Sequence, residues 1–300
     1  MMTTTVTRPA PEASVRGSRA VRPARRRPGR VALYVAITLG AAAMVYPIAW
    51  MFSASLKPDE EIFTNIGLIP STFDLSNYVE GWFGLSQPFS TFFLNSFLLG
   101  AAAVVGNLVS CSLAAYAFAR LNFFARGFWF AIMMGTIMLP YHVTLIPQYT
   151  LFFELGWVNT YLPLIVPKLL ATDAFFIFLF IQFIRGIPRE LDQAAMIDGA
   201  GPVRIFGWIV LPLLRPALVT GAIFTFMWTY NDFLSQLIYL SDQRLFTVPL
   251  ALRAFLDTTG QSSWGPMFAM SALSLVPLIV IFALFQRQIV EGLATSGLKG

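Results

Sequence analysis

The sequence has few of the residues on which most enzyme chemistry depends. Its 300 residues include one cysteine, Cys111, and one histidine, His142. A lone cysteine excludes a disulfide framework, and one histidine with one cysteine cannot supply the ligands of a conventional zinc site. The sequence also lacks a glycine-rich loop ending in Lys-Ser or Lys-Thr, and no Ser-His-Asp set can be argued. We therefore expect a chain that is not an enzyme, binds no metal and cannot hydrolyse ATP by itself.

Charged residues are scarce as well. They make up 12% of the chain, whereas globular proteins average about a quarter, and hydrophobic residues make up 57%. Several long uncharged runs separate the short polar stretches. This composition predicts an all-α integral membrane protein with several membrane spans.

The net charge of +5 is concentrated at one end of the chain. Residues 1–30 hold eight arginines and one acid, Glu12, so the other 270 residues are slightly acidic. This arginine-rich stretch has almost no bulky apolar residues, so we expect a disordered cytoplasmic tail at 1–30 and a transmembrane permease domain at 31–300. Because the positive charge precedes an apolar run, it favours a positive-inside anchor or contact with anionic lipid over a nucleic-acid partner.

Six apolar stretches are long enough to cross a lipid bilayer. The predicted spans are Val31–Phe52, Phe92–Ala119, Phe128–Phe153, Tyr161–Ile184, Ala217–Leu240 and Trp264–Phe285. Small residues along the second span predict close packing inside a helix bundle. Pro140 and Pro147 predict a kink in the third span. Residues 53–91 are expected to form a mixed loop with a short surface helix, and residues 286–300 a tail.

The basic residues predict the orientation of these spans. Sixteen of the 20 lysines and arginines fall in the tails, the loop at 120–127 and the segment 185–216, which would all lie on one side of the membrane. Positive charge is enriched on the cytoplasmic side, so both termini and that segment are predicted to be cytoplasmic.

The segment 187–216, which we call the finger, is the one polar stretch with turn residues between two long apolar runs. Pro188 suits the first turn of a helix, and Glu190 complements the positive end of that helix's dipole. Gly199 allows a sharp reversal before a second helix, which we expect to end at Leu211 because the next residue is proline. The sequence therefore predicts a helix–turn–helix whose second arm places four residues on one side: Val203, Phe206, Gly207 and Val210.

The finger resembles the cytoplasmic coupling motif of the permeases of binding-protein-dependent ABC importers. That motif reads Glu-Ala-Ala, three residues, Gly, nine residues, Ile, one residue, Leu-Pro, and the matching positions here are Gln193, Ala194, Ala195, Gly199, Ile209, Leu211 and Pro212. The one departure is Gln193, where the family has an acid thought to pair with a basic residue of the ATPase. Glu190 and Asp192 lie beside it as possible substitutes. Asp198 and Ala200 complete the residues expected to contact the ATPase, and an ordinary amphipathic loop is the alternative.

The resemblance extends over about Val31 to Gly300. It includes the segments LAAYAFARLNF, MLPYHVTLIPQY and GWVNTYLPLIVP and the ending FQRQIVEGLATSGLKG. These look like the carbohydrate-importing branch, similar to the maltose-type second membrane subunit. The resemblance implies six transmembrane helices, with the coupling helix–turn–helix between helices four and five. It also implies a second homologous permease, a pair of cytoplasmic ATPase subunits that use ATP and magnesium, and an extracytoplasmic solute-binding protein.

A polar and aromatic cluster lies in the middle of the fifth predicted span, and it reads Trp228-Thr229-Tyr230-Asn231-Asp232-Phe233. Sugars bind by stacking on aromatic rings and by hydrogen bonds to amide and carboxylate groups. We therefore predict a solute path lined by Trp228, Tyr230, Asn231 and Asp232. Asp173, in the fourth span, joins this set because a carboxylate at membrane depth is costly unless it faces a cavity or a partner. Hydrogen bonding between helices is the alternative role for these side chains.

The leading hypothesis is a permease subunit that translocates a sugar or sugar-like solute, and a glycerophosphate is equally compatible with the sequence. An ion-coupled secondary transporter is the alternative from a different class, with Asp173 and Asp232 as coupling carboxylates. The sequence shows no internal inverted repeat of the kind found in many such transporters. A third possibility is a subunit that passes on conformational signals and binds no solute.

Overall fold

The computed structural model describes residues 28–256 and 262–297, and the regular elements within those ranges are all helical. The chain divides into one unit that ends at Pro47 and another that begins at Ile48. The predicted tail at residues 1–30 lies outside the described residues, except for its last three, which begin the first helix. Residues 257–261 of the loop before the last helix also lie outside them.

The described helices are, in chain order, α1 (Pro28–Ala54), α2 (Asp59–Ile62), α3 (Ser76–Phe83), α4 (Phe89–Arg120), α5 (Arg126–Ile137), α6 (Tyr141–Glu154), α7 (Leu162–Leu169), α8 (Ala174–Gly186), α9 (Arg189–Ile197), α10 (Pro202–Ile205), α11 (Leu211–Leu213), α12 (Arg215–Asn231), α13 (Leu234–Tyr239), α14 (Val248–Ala254) and α15 (Trp264–Gly297). A π-helical segment, Phe206–Val210, joins α10 to α11. A 3₁₀ turn, Gln243–Leu245, precedes α14.

Four helical segments are long and apolar enough to cross a membrane: Ala32–Ala54, Phe89–Arg120, Leu162–Gly186 and Trp264–Gln286. Two further pairs pass the same test only when joined across a bend. The bend is 102° between α5 and α6 and 75° between α11 and α12. By length and composition, the described residues therefore contain four to six candidate spans.

The predicted kink in the third span is confirmed. α5 ends at Ile137, and α6 begins at Tyr141, directly after Pro140. Pro140 has extended backbone angles, which are incompatible with a continuous helix. Pro147 remains inside α6, so only the first of the two prolines breaks the span.

One predicted helix end is wrong. The second arm of the finger continues through Leu211, whose φ of −61° and ψ of −43° are helical, to the bend at Leu214. The π-helical segment before Pro212 widens the backbone turn, which accommodates the proline ring. The last predicted span, Trp264–Phe285, agrees with the candidate span Trp264–Gln286, and the helix itself continues into the predicted tail as far as Gly297. Loss of apolar character marks where a chain leaves the hydrocarbon layer, whereas the two glutamines, one leucine and one alanine between Phe285 and Gly297 still favour a helix.

The helix α4 is the centre of the bundle, as its small residues predicted. It packs against α7, α8 and α12. Small side chains allow this close approach: a Cβ added at Gly100 would lie 2.8 Å from the Phe226 ring. On α12, a Cβ added at Gly221 would lie 2.7 Å from Cζ of Phe180. These contacts fix the register of the three helices that carry the candidate site.

Candidate functional site

A cavity of about 560 Å³ opens beside the break between α12 and α13. Its lining residues are Leu99, Tyr141, Leu164, Lys168, Trp228, Thr229, Asn231, Asp232, Ser235 and Gln236. Three of the predicted path residues, Trp228, Asn231 and Asp232, line this cavity. They share one side because residues three and four apart lie on the same face of a helix. Trp228 is half exposed, so its indole is available for stacking.

Tyr230 does not belong to the cavity, and this part of the prediction is wrong. Its side chain is only 2% exposed, and its hydroxyl donates to the Ser274 carbonyl on α15 at 3.2 Å. Two residues along a helix correspond to a rotation of about 200°, so Tyr230 faces away from the side that carries Trp228. It is part of the hydrophobic core near Phe92 and Met270.

Asp173 forms an ion pair and also lines a cavity. Its Oδ2 lies 2.7 Å from Nζ of Lys168, and both side chains are partly exposed. α7 ends at Leu169 and α8 begins at Ala174, so the break between them folds Lys168 back towards Asp173. Asp173 lines a second cavity of about 400 Å³, and Tyr141 lines both cavities.

Sequence reasoning missed several cavity residues that lie outside the aromatic cluster. The Tyr141 hydroxyl is 2.8 Å from Oγ of Ser235, a hydrogen bond that joins α6 to α13. Gln236 is buried, and its amide donates to the Thr229 carbonyl at 3.0 Å, so it provides a hydrogen-bond partner for the last turn of α12. Only Tyr141 had a sequence signal, since it directly follows Pro140 at the predicted kink.

The finger has the predicted helix–turn–helix geometry. Gly199 follows α9 with a φ of +80°, in the left-handed region that favours glycine. The Ala200 N–H donates to the Ala195 carbonyl at 2.8 Å, and the Gly199 N–H donates to the Met196 carbonyl at 3.0 Å. This pair of hydrogen bonds is the Schellman motif, which terminates a helix and reverses the chain. The second arm then begins at Pro202.

Most of the predicted contact residues lie on the finger's open surface. Glu190, Gln193, Ala194, Asp198, Gly199 and Pro212 are exposed, and Ala195, Ala200 and Leu211 are half-buried. Exposed apolar residues adjoin them, namely Met196, Ile197, Val203 and Trp208. The prediction that Val203 shares the face of Val210 is wrong, because Val203 is 85% exposed and Val210 is fully buried. The π-helical segment changes the angular spacing between these two positions.

Asp192 cannot replace the acid that the family has at position 193. Its side chain is 8% exposed, and its Oδ2 lies 3.1 Å from Nε of Arg120 at the end of α4. The carboxylate therefore faces the body of the protein. Glu190 remains as the exposed acid beside Gln193.

Comparison with known proteins identifies the family. Residues 106–294 match the family described as "Binding-protein-dependent transport system inner membrane component". The trehalose/maltose transport system permease protein MalG of Thermococcus litoralis is 33% identical over 272 residues, which cover 90% of this chain and 97% of that protein. The sn-glycerol-3-phosphate transport system permease protein UgpE of Salmonella typhi is 34% identical over 266 residues, covering 87% and 94%.

A solved structure shares the fold. It is the crystal structure of a bacterial ABC transporter involved in the import of the acidic polysaccharide alginate, and the TM-score is 0.76 at 21% identity. The alignment covers 89% of this chain and 99% of that chain.

This chain belongs to the family of binding-protein-dependent transport system inner membrane components. It is a permease subunit of an ABC transporter, so the predicted resemblance and the prediction of a transport subunit rather than an enzyme are both confirmed. The secondary-transporter alternative is wrong, because members of this family are components of binding-protein-dependent systems.

Proposed function

We propose that this chain is one of two membrane subunits of an importer that moves a sugar, delivered by an extracytoplasmic solute-binding protein, across the cytoplasmic membrane. The observation that carries this proposal is the cavity beside the break in α12, where an indole, an amide and a carboxylate converge. Aromatic stacking and multiple hydrogen bonds are the usual means of holding a sugar. The relative named for trehalose and maltose supports the same class of solute.

The charges around the cavity favour a neutral sugar over a glycerophosphate. Lys168 is the one basic side chain in the lining, and it is already paired with Asp173. Asp232 adds a carboxylate that has no cation within salt-bridge distance among the described residues. An anionic solute would have to displace Asp173 and then approach Asp232, and like charges at short range repel strongly outside bulk water.

In the proposed arrangement the chain crosses the membrane six times, through α1, α4, α5 with α6, α7 with α8, α12 with α13, and α15. The 75° bend at Leu214 separates the finger from the fifth span. The positive-inside rule supports a cytoplasmic finger and cytoplasmic termini.

We further propose that the finger docks on one of a pair of cytoplasmic ATPase subunits, which use ATP and magnesium, while the bundle pairs with a second homologous permease. Exposure of Glu190, Gln193 and Asp198 beside Ile197 and Trp208 supports docking, since these side chains combine polar groups with uncovered apolar surface. Gln193 would contribute a neutral hydrogen bond where the family has an acid.

The first test is to isolate the chain from membranes in mild detergent and to identify its stoichiometric companions by mass spectrometry. We expect an ATPase subunit and a second permease. Recovery of the chain alone would contradict the proposal.

The solute is tested by reconstituting that complex in liposomes with its solute-binding protein and measuring ATP-driven uptake of radiolabelled maltose, trehalose and sn-glycerol 3-phosphate. Trp228→Ala should raise the half-saturating sugar concentration about 2- to 13-fold, because a stacking contact contributes roughly 0.5–1.5 kcal/mol. Tyr230→Phe is the matched control and should leave uptake unchanged, since Tyr230 faces the core. Unchanged uptake in Trp228→Ala would favour a subunit that binds no solute, and preferred uptake of the phosphate would refute a sugar.

A further inference from the structure

We propose that Arg120 and Asp192 form a latch that makes the finger and α4 move as one body, so that both act as positioning residues for transport. The inference rests on the proposed function, in which an ATPase displaces the finger. It adds the chemical link by which that displacement reaches the wall of the solute cavity.

The first observation is the burial and geometry of the ion pair. The Arg120 and Asp192 side chains are only 5% and 8% exposed, and Nε lies 3.1 Å from Oδ2. Neither Nε of Arg120 nor the second carboxylate oxygen of Asp192 has a hydrogen-bond partner among the described residues, so the contact is one between charges, and Arg120 is the cation on which this buried carboxylate depends. A terminal nitrogen of Arg120 also donates to the Ile187 carbonyl at 2.6 Å. One guanidinium thus holds both the start and the inner side of α9.

The second arm of the finger contacts the same turn of α4. The Tyr116 hydroxyl donates to the Pro202 carbonyl at 3.1 Å, and the centre of its ring lies 5.2 Å from that of Phe206. Residues 116 and 120 lie four apart and therefore on one face of α4. Because both arms are fixed to this face, the finger cannot turn without either carrying α4 with it or breaking buried contacts.

The interior of α4 reaches the cavity. The Ser110 hydroxyl donates to the Lys168 carbonyl at 2.7 Å, and Leu99 lines the cavity itself. The Asn107 amide donates to the Thr225 hydroxyl at 2.8 Å, which ties α4 to the helix that carries Trp228. A packed helix of 32 residues with these cross-links is a physical route for displacement from the finger to the cavity.

An ion pair can be tested selectively, because substitutions can remove one or both of its charges. Asp192→Asn keeps the size of the side chain but leaves Arg120 buried without a counter-charge, which favours release of the finger from α4. Arg120→Gln together with Asp192→Asn removes both charges and retains two amides that can hydrogen-bond to each other. Arg126→Gln is the matched control, since Arg126 lies at the start of α5 and its side chain hydrogen-bonds to the Leu121 carbonyl and the Asn122 side chain rather than to the finger.

The experiment uses the purified complex in liposomes, with the buried Cys111 replaced by alanine and a fluorophore on Phe233→Cys beside the cavity. The change in fluorescence on addition of ATP and magnesium reports motion at the cavity, and phosphate release reports hydrolysis. For Asp192→Asn we expect the ATPase subunit to be retained, hydrolysis to continue, and the fluorescence change per ATP hydrolysed to fall on the order of tenfold. The double variant should recover part of the fluorescence change. Arg126→Gln should match the reference complex, which carries only the substitutions at Cys111 and Phe233.

Three results would overturn the latch. An unchanged fluorescence response in Asp192→Asn would show that the finger does not act through this pair, and an equal loss in Arg126→Gln would show an effect of charge alone. Failure of the single and double variants to accumulate in the membrane would assign the pair to folding. A complex without any ATP-driven response, even when unsubstituted, would instead refute the proposed function and the latch with it.

Discussion

Replacement of Gly199 by alanine tests the turn of the finger most directly. The residue has a φ of +80°, and a Cβ added there would meet no atom within 4 Å. The expected effect is therefore purely conformational, since no steric clash adds to it. A left-handed backbone costs an alanine about 1–2 kcal/mol, part of which is offset because alanine also restricts the unfolded chain.

Gly201 provides a matched control two residues away. It too has open space around an added Cβ, but its φ is −76°, which any residue adopts. Alanine at this position should change the stability of the finger little, because the restriction of the unfolded chain is offset by the lower preference for alanine at the N-cap of α10. Asparagine at position 199 should fall between the two alanine variants, because asparagine tolerates the left-handed region better than alanine does.

Hydrogen exchange measured by mass spectrometry on the purified complex is the assay. The Ala200 amide reports the turn, because it donates to the Ala195 carbonyl within the Schellman motif. A net loss of about 1 kcal/mol speeds local exchange roughly 5-fold, and alanine at 201 should leave it nearly unchanged. If the two alanine substitutions had equal effects, or if alanine at 199 had none, the reasoning from backbone strain would be wrong.

Two further predictions concern the bundle and the loop that precedes α4. Gly221→Ala should destabilise the bundle by about 1–3 kcal/mol and lower its thermal midpoint, since the new Cβ would lie 2.7 Å from Phe180. The control Gly135→Ala should not lower it, because the new Cβ meets no atom within 4 Å and alanine favours the interior of α5. Hydrogen bonds from the N–H and hydroxyl of Ser71 lower the pKa of the Glu61 carboxylate. The ionised Glu61 therefore stabilises the fold above its unfolded-state pKa, and this stabilisation is lost as the pH falls through its folded-state pKa. The protection factor of the Ser71 amide, which is its exchange rate relative to the intrinsic rate at the same pH, should fall in acid, and Glu61→Gln should abolish that pH dependence; an unaltered pH dependence would contradict the assignment.

The position of the finger and its reversal could be predicted because both depend on local properties of the chain. A polar segment between apolar runs, a proline near a helix start and a glycine after the helix constrain the backbone wherever the segment lies. Continuation of the second arm through Leu211 could not be predicted in this way. A residue before proline is disfavoured in a helix of ordinary α-helical spacing, but here the π-helical segment at Phe206–Val210 widens the turn before Leu211.

The cavity was predicted only in part. The chemistry of Trp228, Asn231 and Asp232 is evident from their side chains, and helical spacing places them together. Tyr230 has the same chemistry but lies on the opposite side of α12, and only the packing of α4 and α15 decides which side faces the cavity.

By itself, the sequence determined that this chain is helical, lies in a membrane, resembles the permeases of ABC importers and has a helix–turn–helix at 187–216. Hydrophobicity, backbone freedom and the spacing of a short motif are properties of neighbouring residues, so they can be read along the chain. The tertiary structure alone decided that Asp192 faces Arg120 rather than an ATPase, and that Lys168 neutralises Asp173 beside the cavity. The partner of a charged side chain depends on how the helix break or a distant helix folds back in space, and no local pattern specifies that.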